Sequence, residues 1–211
     1  MSISLHKKTG INLTKGSSIS LEKAGRHLHQ VCIGLNWGVI EKKTFFGLLS
    51  SKEAVDLDGS VSAFDKDGQL LYTVYYHKTV SKDRAIRHSG DDLTGDVSGD
   101  DGRDNEIIQI DLPKVMPEAH QIVFYLNSYK GQDFAAIPYS KIRIFEGNND
   151  EVRDVLATFN LSAEPTFAGC VAMIMGKLVR HGNGWNFLAI GEGASTQRID
   201  DTIRLVQEKY L

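Results

Sequence analysis

Short runs in which apolar and polar residues alternate fill most of the chain, and their period is two rather than 3.6. Residues 28–35 alternate imperfectly through Leu28, Val31, Ile33 and Leu35 and read as a strand ending near Trp37 and Gly38. Residues 60–64 and 70–76 flank Asp67-Gly68, a strong hairpin signal. Further strands are predicted at 106–112, stopped by Pro113, and at 120–127, 139–145, 152–161 and 167–179. His181-Gly182-Asn183-Gly184 then turns the chain into a strand at 185–190. Shorter alternations lie at 3–5, 11–13 and 19–21. Residues 128–137 read as a turn with one helical turn, and Phe45, Phe46, Leu48 and Leu49 as a strand or a packed loop. From residue 197 the period changes: Ile199, Ile203 and Val206, with Leu205 and Tyr210 beside them, mark an amphipathic helix. About ten strands with no intervening helices predict an all-β fold. The expected architecture is a β-sandwich of two antiparallel sheets, one domain over residues 1–211, with a C-terminal α-helix at 196–211.

Composition narrows the function without naming it. Twenty glycines against four prolines suit many turns between short strands, and 24% charged residues are ordinary for a globular protein. A net charge of −3 gives no reason to expect a nucleic-acid partner. The beginning of the sequence, MSISLHKKTG, has no apolar core of a signal peptide, and no run of about 18 apolar residues exists, so a cytoplasmic location is expected.

The densest chemistry is acidic. Asp91, Asp92, Asp96, Asp100, Asp101, Asp104 and Glu106 lie within one stretch, Arg103 is its only basic residue, and Gly90, Gly95, Gly99 and Gly102 punctuate it. Like charges so close repel, so either the loop stays open in water or a cation holds it. Hard cations such as calcium take about six to eight oxygen ligands from carboxylates, carbonyls and water, which this composition offers. The spacing is not an EF-hand: counted from Asp96, Ser98 and Asp100 fit positions three and five, but Asp101 stands where glycine is required. Glu106 falls one place early for the last ligand. Asp56 and Asp58 flank Leu57 and, in a strand, point to one face, so they are a second source of carboxylates for the same ion.

Other chemistries find less support. No phosphate-binding GxxxxGK[ST] loop and no G-x-S-x-G elbow occur. His27 and His29 would share a strand face, but no third metal ligand accompanies them at informative spacing. Cys32 and Cys170 sit in apolar runs and read as buried, reduced thiols.

Four stretches in this order resemble the TerD family of bacterial tellurium-resistance and stress proteins. They are VCIGLNW at 31–37, DLDGSVSAF at 56–64, HSGDDLTGD at 88–96 running on to Glu106, and GKLVRH at 176–181 with Trp185-Asn186-Phe187. Gly38 departs from the family pattern, which often has aspartate after the tryptophan, and the acidic loop carries extra residues after Gly95. The resemblance implies a calcium-binding β-sandwich, a role in resistance to tellurite and other stresses, and work alongside other Ter-type proteins, some at the inner membrane. It implies no catalysis.

The expected function is therefore that of a non-enzymatic, calcium-binding stress protein. Its metal ligands are drawn from Asp56, Asp58, Asp91, Asp92, Asp96, Asp100, Asp101, Asp104 and Glu106. The competing reading is a metal-independent interaction module within a Ter-type complex, with the C-terminal helix either docking a partner or closing the core as a lid.

Overall fold

The computed structural model describes residues 10–23, 25–43, 50–162 and 165–211. Five strands open it: β1 (Ile11–Asn12), β2 (Ser18–Ser20), β3 (Glu22–Lys23), β4 (Arg26–His27) and β5 (Gln30–Trp37). β6 (Ile40–Lys43) and β7 (Ser50–Glu53) pair as a ribbon, and β3 pairs with β4. Then come β8 (Leu57–Phe64), β9 (Leu70–Val74), β10 (Ile86–His88), β11 (Glu106–Asp111) and β12 (Gln121–Ser128). β13 (Tyr139–Gly147), β14 (Val152–Ser162), β15 (Ala172–His181), β16 (Gly184–Ala194) and the helix α1 (Ile199–Lys209) complete the chain.

Two six-stranded sheets carry the fold, in the orders β1-β14-β13-β5-β11-β10 and β2-β16-β15-β12-β8-β9. All their pairings are antiparallel except β1 with β14 at one edge. Alternation decides what each strand buries. Ile33, Leu35 and Trp37 of β5, Ile108 and Ile110 of β11 and Ile142 and Ile144 of β13 meet Leu57, Val61 and Ala63 of β8, Phe124 and Leu126 of β12 and Phe187 of β16 in one core. This is the predicted sandwich.

The opposite face of the second sheet is also apolar, through Phe64, Val123, Tyr125, Ile174 and Ile190. α1 covers it with Ile203 and Val206, joined by the half-buried Ile199, Tyr210 and Leu211. Polar contacts fasten the helix at both ends. Asn127 Nδ2 donates to Thr202 Oγ1 (2.9 Å), Gln207 Nε2 to the Gly68 carbonyl (2.9 Å), and Lys177 Nζ to the Tyr210 carbonyl at the helix C-terminus. The helix is a lid on the sheet. None of the helices among the described residues is long and apolar enough to cross a membrane.

Several local expectations change. The strand predicted from residue 167 begins at Ala172, because Pro165–Phe167 form a 3₁₀ turn and Gly169 adopts a left-handed φ of +78°. Cys170 consequently lies in a loop and is half-buried, whereas Cys32 is fully buried and its thiol is pushed up to about 11 by burial, then by Asp104. His29 falls outside β4, so it does not share a strand face with His27. The alternation at 3–5 and the apolar run at 45–49 lie outside the described residues.

Candidate metal centre

Gly59 shows how the site is built. β9 pairs with β8 from Val61 onward and then turns away, Tyr75 bridging to Lys78, so the peptide groups of Gly59 lie beyond the ladder. Unpaired buried peptide groups are costly, and side chains of the other sheet take them. The Gly59 N–H donates to Glu106 Oε2 (2.8 Å), and the Gly59 carbonyl accepts from His88 Nε2 (3.0 Å). A Cβ at position 59 would stand 2.4 Å from Glu106 Oε2, so only glycine fits. Gly90 N–H donates to His88 Nδ1 (3.1 Å), which places the imidazole proton on Nε2. Glu106 is fully buried, and burial raises its pKa against the pull of His88, Gly59 and Asp92.

Beside this pair the chain brings three carboxylates together. Asp56, Asp58 and Asp91 each offer an oxygen, all within 4.8 Å of one another. Asp56 immediately precedes β8 and Asp58 lies within it: Leu57 enters the core, and its two neighbours turn the other way. Asp56 and Asp58 are buried, at 3% and 8% exposure, and Asp91 forms the exposed side. Burial first, then Glu106, Asp91 and Asp56, push Asp58 up to about 7. Asp91 is raised as well, by burial and then by Asp56. Asp56 Oδ2 lies 3.2 Å from Lys130 Nζ, while Asp56 Oδ1 is buried with no hydrogen-bond partner among the described residues. A buried, unpartnered carboxylate oxygen amid like charges is a set of donors suited to a hard cation.

The remaining predicted ligands stand elsewhere along the loop. Asp92 and Asp96 belong to a network around Trp37. Asn105 Nδ2 donates to Asp92 Oδ2 (3.3 Å) and Asp96 Oδ1 (3.2 Å), and Asn105 Oδ1 accepts from the Trp37 N–H (2.8 Å). The Asp96 N–H reaches the Trp37 carbonyl (3.1 Å), and the indole N–H reaches the Val55 carbonyl (2.9 Å). Asn36 Nδ2 and the Tyr139 hydroxyl donate to Asp96 Oδ2 at 3.0 and 2.6 Å. Burial raises Asp92, but hydrogen bonds from Thr94, Gly95 and Asn105 outweigh it and hold its pKa low.

Asp100 and Asp104 pair with β13. Asp100 meets Lys141, which lowers its pKa, and Asp104 receives Arg143 Nη2 at 2.7 Å and Nε at 3.2 Å. Burial still raises Asp104. Gly34 leaves the space for that carboxylate, since a Cβ there would lie 2.0 Å from Asp104 Oδ2. Asp101 is exposed and accepts from the Arg103 N–H (2.9 Å) within its own turn. The loop is therefore pinned in three places, and of its seven carboxylates only Asp91 joins Asp56 and Asp58 in the cluster.

At Gly38 an aspartate has no room: a Cβ would lie 2.8 Å from Pro138 Cγ and from Tyr139 Cε1. His88, Lys130, Asn105 and Tyr139 belong to these surroundings without being carboxylates of the acidic pattern. His88 precedes the acidic run and was the readable signal; Lys130 and Tyr139 come from distant strand ends and carried none.

Comparison with known proteins agrees with this architecture. The TerD domain profile matches residues 9–203. The chain is 34% identical to stress response protein SCP2 of Bacillus subtilis (strain 168), over 96% of this chain and 98% of that protein. It is 30% identical to tellurium resistance protein TerZ of Serratia marcescens, over 90% and 94% of the two chains. A crystal structure of a homologue of telluride resistance protein (TerD) from Streptomyces coelicolor A3(2) superposes with a TM-score of 0.60 at 18% identity, over 85% of this chain and 95% of that one. With the sandwich, the acidic loop and the profile in agreement, the chain belongs to the TerD family.

Proposed function

We propose that this chain is a calcium-binding stress protein of the tellurium-resistance type, working without catalysis in the cytoplasm. One observation carries the calcium reading: Asp56, Asp58 and Asp91 bring oxygens within 4.8 Å of one another, and the buried Asp56 Oδ1 has no partner. Asp56, just before β8, and Asp58, within it, would hold the ion from one side and Asp91 from the loop. The ion would supply the positive charge that these carboxylates need, joining loop to strand. Glu106 and His88 would support it from behind by fixing Gly59 and the Asp92 N–H. Asp92, Asp96, Asp100, Asp101 and Asp104 would hold the loop in place through their present partners.

Calcium suits the site better than a softer transition metal, because the clustered donors are carboxylates without thiolates, and the His88 imidazole beside them is committed to Gly59 and Gly90. The names of its relatives support a place among Ter-type stress proteins, and other proteins of that type are the partners we propose. Calorimetric titration with calcium chloride tests the reading. Heat of binding and a melting temperature that rises with calcium and falls with chelator are expected. No heat at millimolar calcium, with equal melting in both conditions, would refute it.

A further inference from the structure

Lys130 stands in an unusual position relative to the three carboxylates. Its Nζ is 3.2 Å from Asp56 Oδ2, although the lysine side chain is half exposed and the aspartate buried. Among the described residues, no other ion pair reaches Asp56, Asp58 or Asp91.

The base of this lysine is tied to the segment that carries its partner into β8. The Tyr129 N–H donates to the Asp56 carbonyl (3.0 Å), and the Gly131 N–H to the Ser128 carbonyl (3.2 Å). The Gln132 N–H donates to Ser128 Oγ (2.7 Å), and Gln132 Nε2 reaches the Ala54 carbonyl (3.1 Å). Gly131 closes the turn at a φ of +74°, where a side chain would be strained. Only the flexible four-carbon stem is free to move the charge.

We propose that Lys130 is a tethered counter-ion of the centre, displaced when a divalent cation binds and returning when it leaves. This rests on the calcium reading and adds to it what sets the affinity. An ammonium on one oxygen of a carboxylate and a divalent ion on the other would lie a few ångströms apart and repel strongly. The cation must therefore drive the lysine off. The partnerless Asp56 Oδ1 offers the incoming ion a first contact while the ammonium still holds Oδ2. Between binding events the ammonium offsets the mutual repulsion of the three carboxylates.

The test compares wild type with Lys130→Met, Lys130→Arg and Lys66→Met, using calcium chloride as the probe in calorimetry and thermal melting with and without chelator. Lys66 is exposed in the hairpin between β8 and β9, so it controls for net charge. Lys130→Met is expected to bind calcium roughly 1.5- to fivefold more tightly, the range for a half-exposed ion pair. It should melt lower than wild type in chelator, and the difference should close in saturating calcium, where the lysine is already displaced; a merely structural lysine would keep the difference in both conditions. Lys130→Arg and Lys66→Met should bind as wild type does. If wild type binds calcium and Lys130→Met binds no more tightly, or Lys66→Met gains equally, the counter-ion role is wrong. If no variant binds calcium, the calcium reading itself fails, and this inference with it.

Discussion

His88 Nε2 lies 3.3 Å from Glu106 Oε2, with both side chains shut off from solvent and both turned to the peptide groups of Gly59. One sheet thereby completes the hydrogen bonding of the other at the point where β9 has turned away.

Removing the imidazole tests that relationship. His88→Ala leaves the Gly59 carbonyl and the Gly90 N–H unpaired and removes the imidazole that lies 3.3 Å from the buried Glu106 Oε2. A loss of about 2–4 kcal/mol in urea denaturation, measured in chelator, is expected. A loss below about 0.5 kcal/mol would mean that water replaces the ring.

The raised carboxylates predict a pH dependence of definite sign. Asp58 is held at about 7 in the folded chain, and Asp91 and Glu106 are also raised, against unfolded values of about 4. Between about pH 4 and pH 7 the folded state therefore binds more protons than the unfolded one, and stability in chelator falls as pH rises. Calcium must compete with those protons, so its affinity should tighten across the upper part of this window and level off above about pH 8. Melting in chelator and calorimetry at stepped pH check both trends. Chelator stability that rises from pH 5 to 7 would contradict the assignment.

Asp58→Asn separates repulsion from ligation. Without the charge, repulsion with Glu106, Asp91 and Asp56 is relieved, and melting in chelator should rise by a few degrees. Calcium affinity should fall at least about tenfold, as expected when a charged ligand is lost. Both shifts are read in one set of thermal melts with and without the ion.

The lid role of α1 predicts a contrast along one helix. Val206 is fully buried against the sheet, so Val206→Ala should cost about 1–3 kcal/mol. Arg204 is exposed and, among the described residues, forms an ion pair with Asp201 alone, so Arg204→Ala should stay within about 0.5 kcal/mol. Deleting 197–211 should expose Phe64, Val123, Tyr125 and Ile190 and drive aggregation, visible by light scattering. A soluble, cooperatively melting truncation would return the helix to the role of partner-docking element.

Much of this was legible in the residue pattern, for local reasons. Alternation of period two depends only on near neighbours, so the strands containing Val31, Ile108, Ile122 and Ile142 were readable, as was the helix through Ile203 and Val206. The clustering of Asp56 and Asp58 on one side of Leu57 follows from the same rule. Boundaries failed where a turn outweighed apolar character, as at Phe167 and Cys170.

The sequence alone determined the sandwich, its closing helix and the stretch that carries the charge. It did not determine which carboxylates meet. Asp91 and Asp104 look equivalent along the chain, yet one meets Asp56 and Asp58 and the other meets Arg143. That sorting rests on Trp37 and Asn105, which hold the loop down, and on β13, which presents Lys141 and Arg143 to its far end. Coulomb interactions depend on distance in space, and only the pairing of distant strands fixes it.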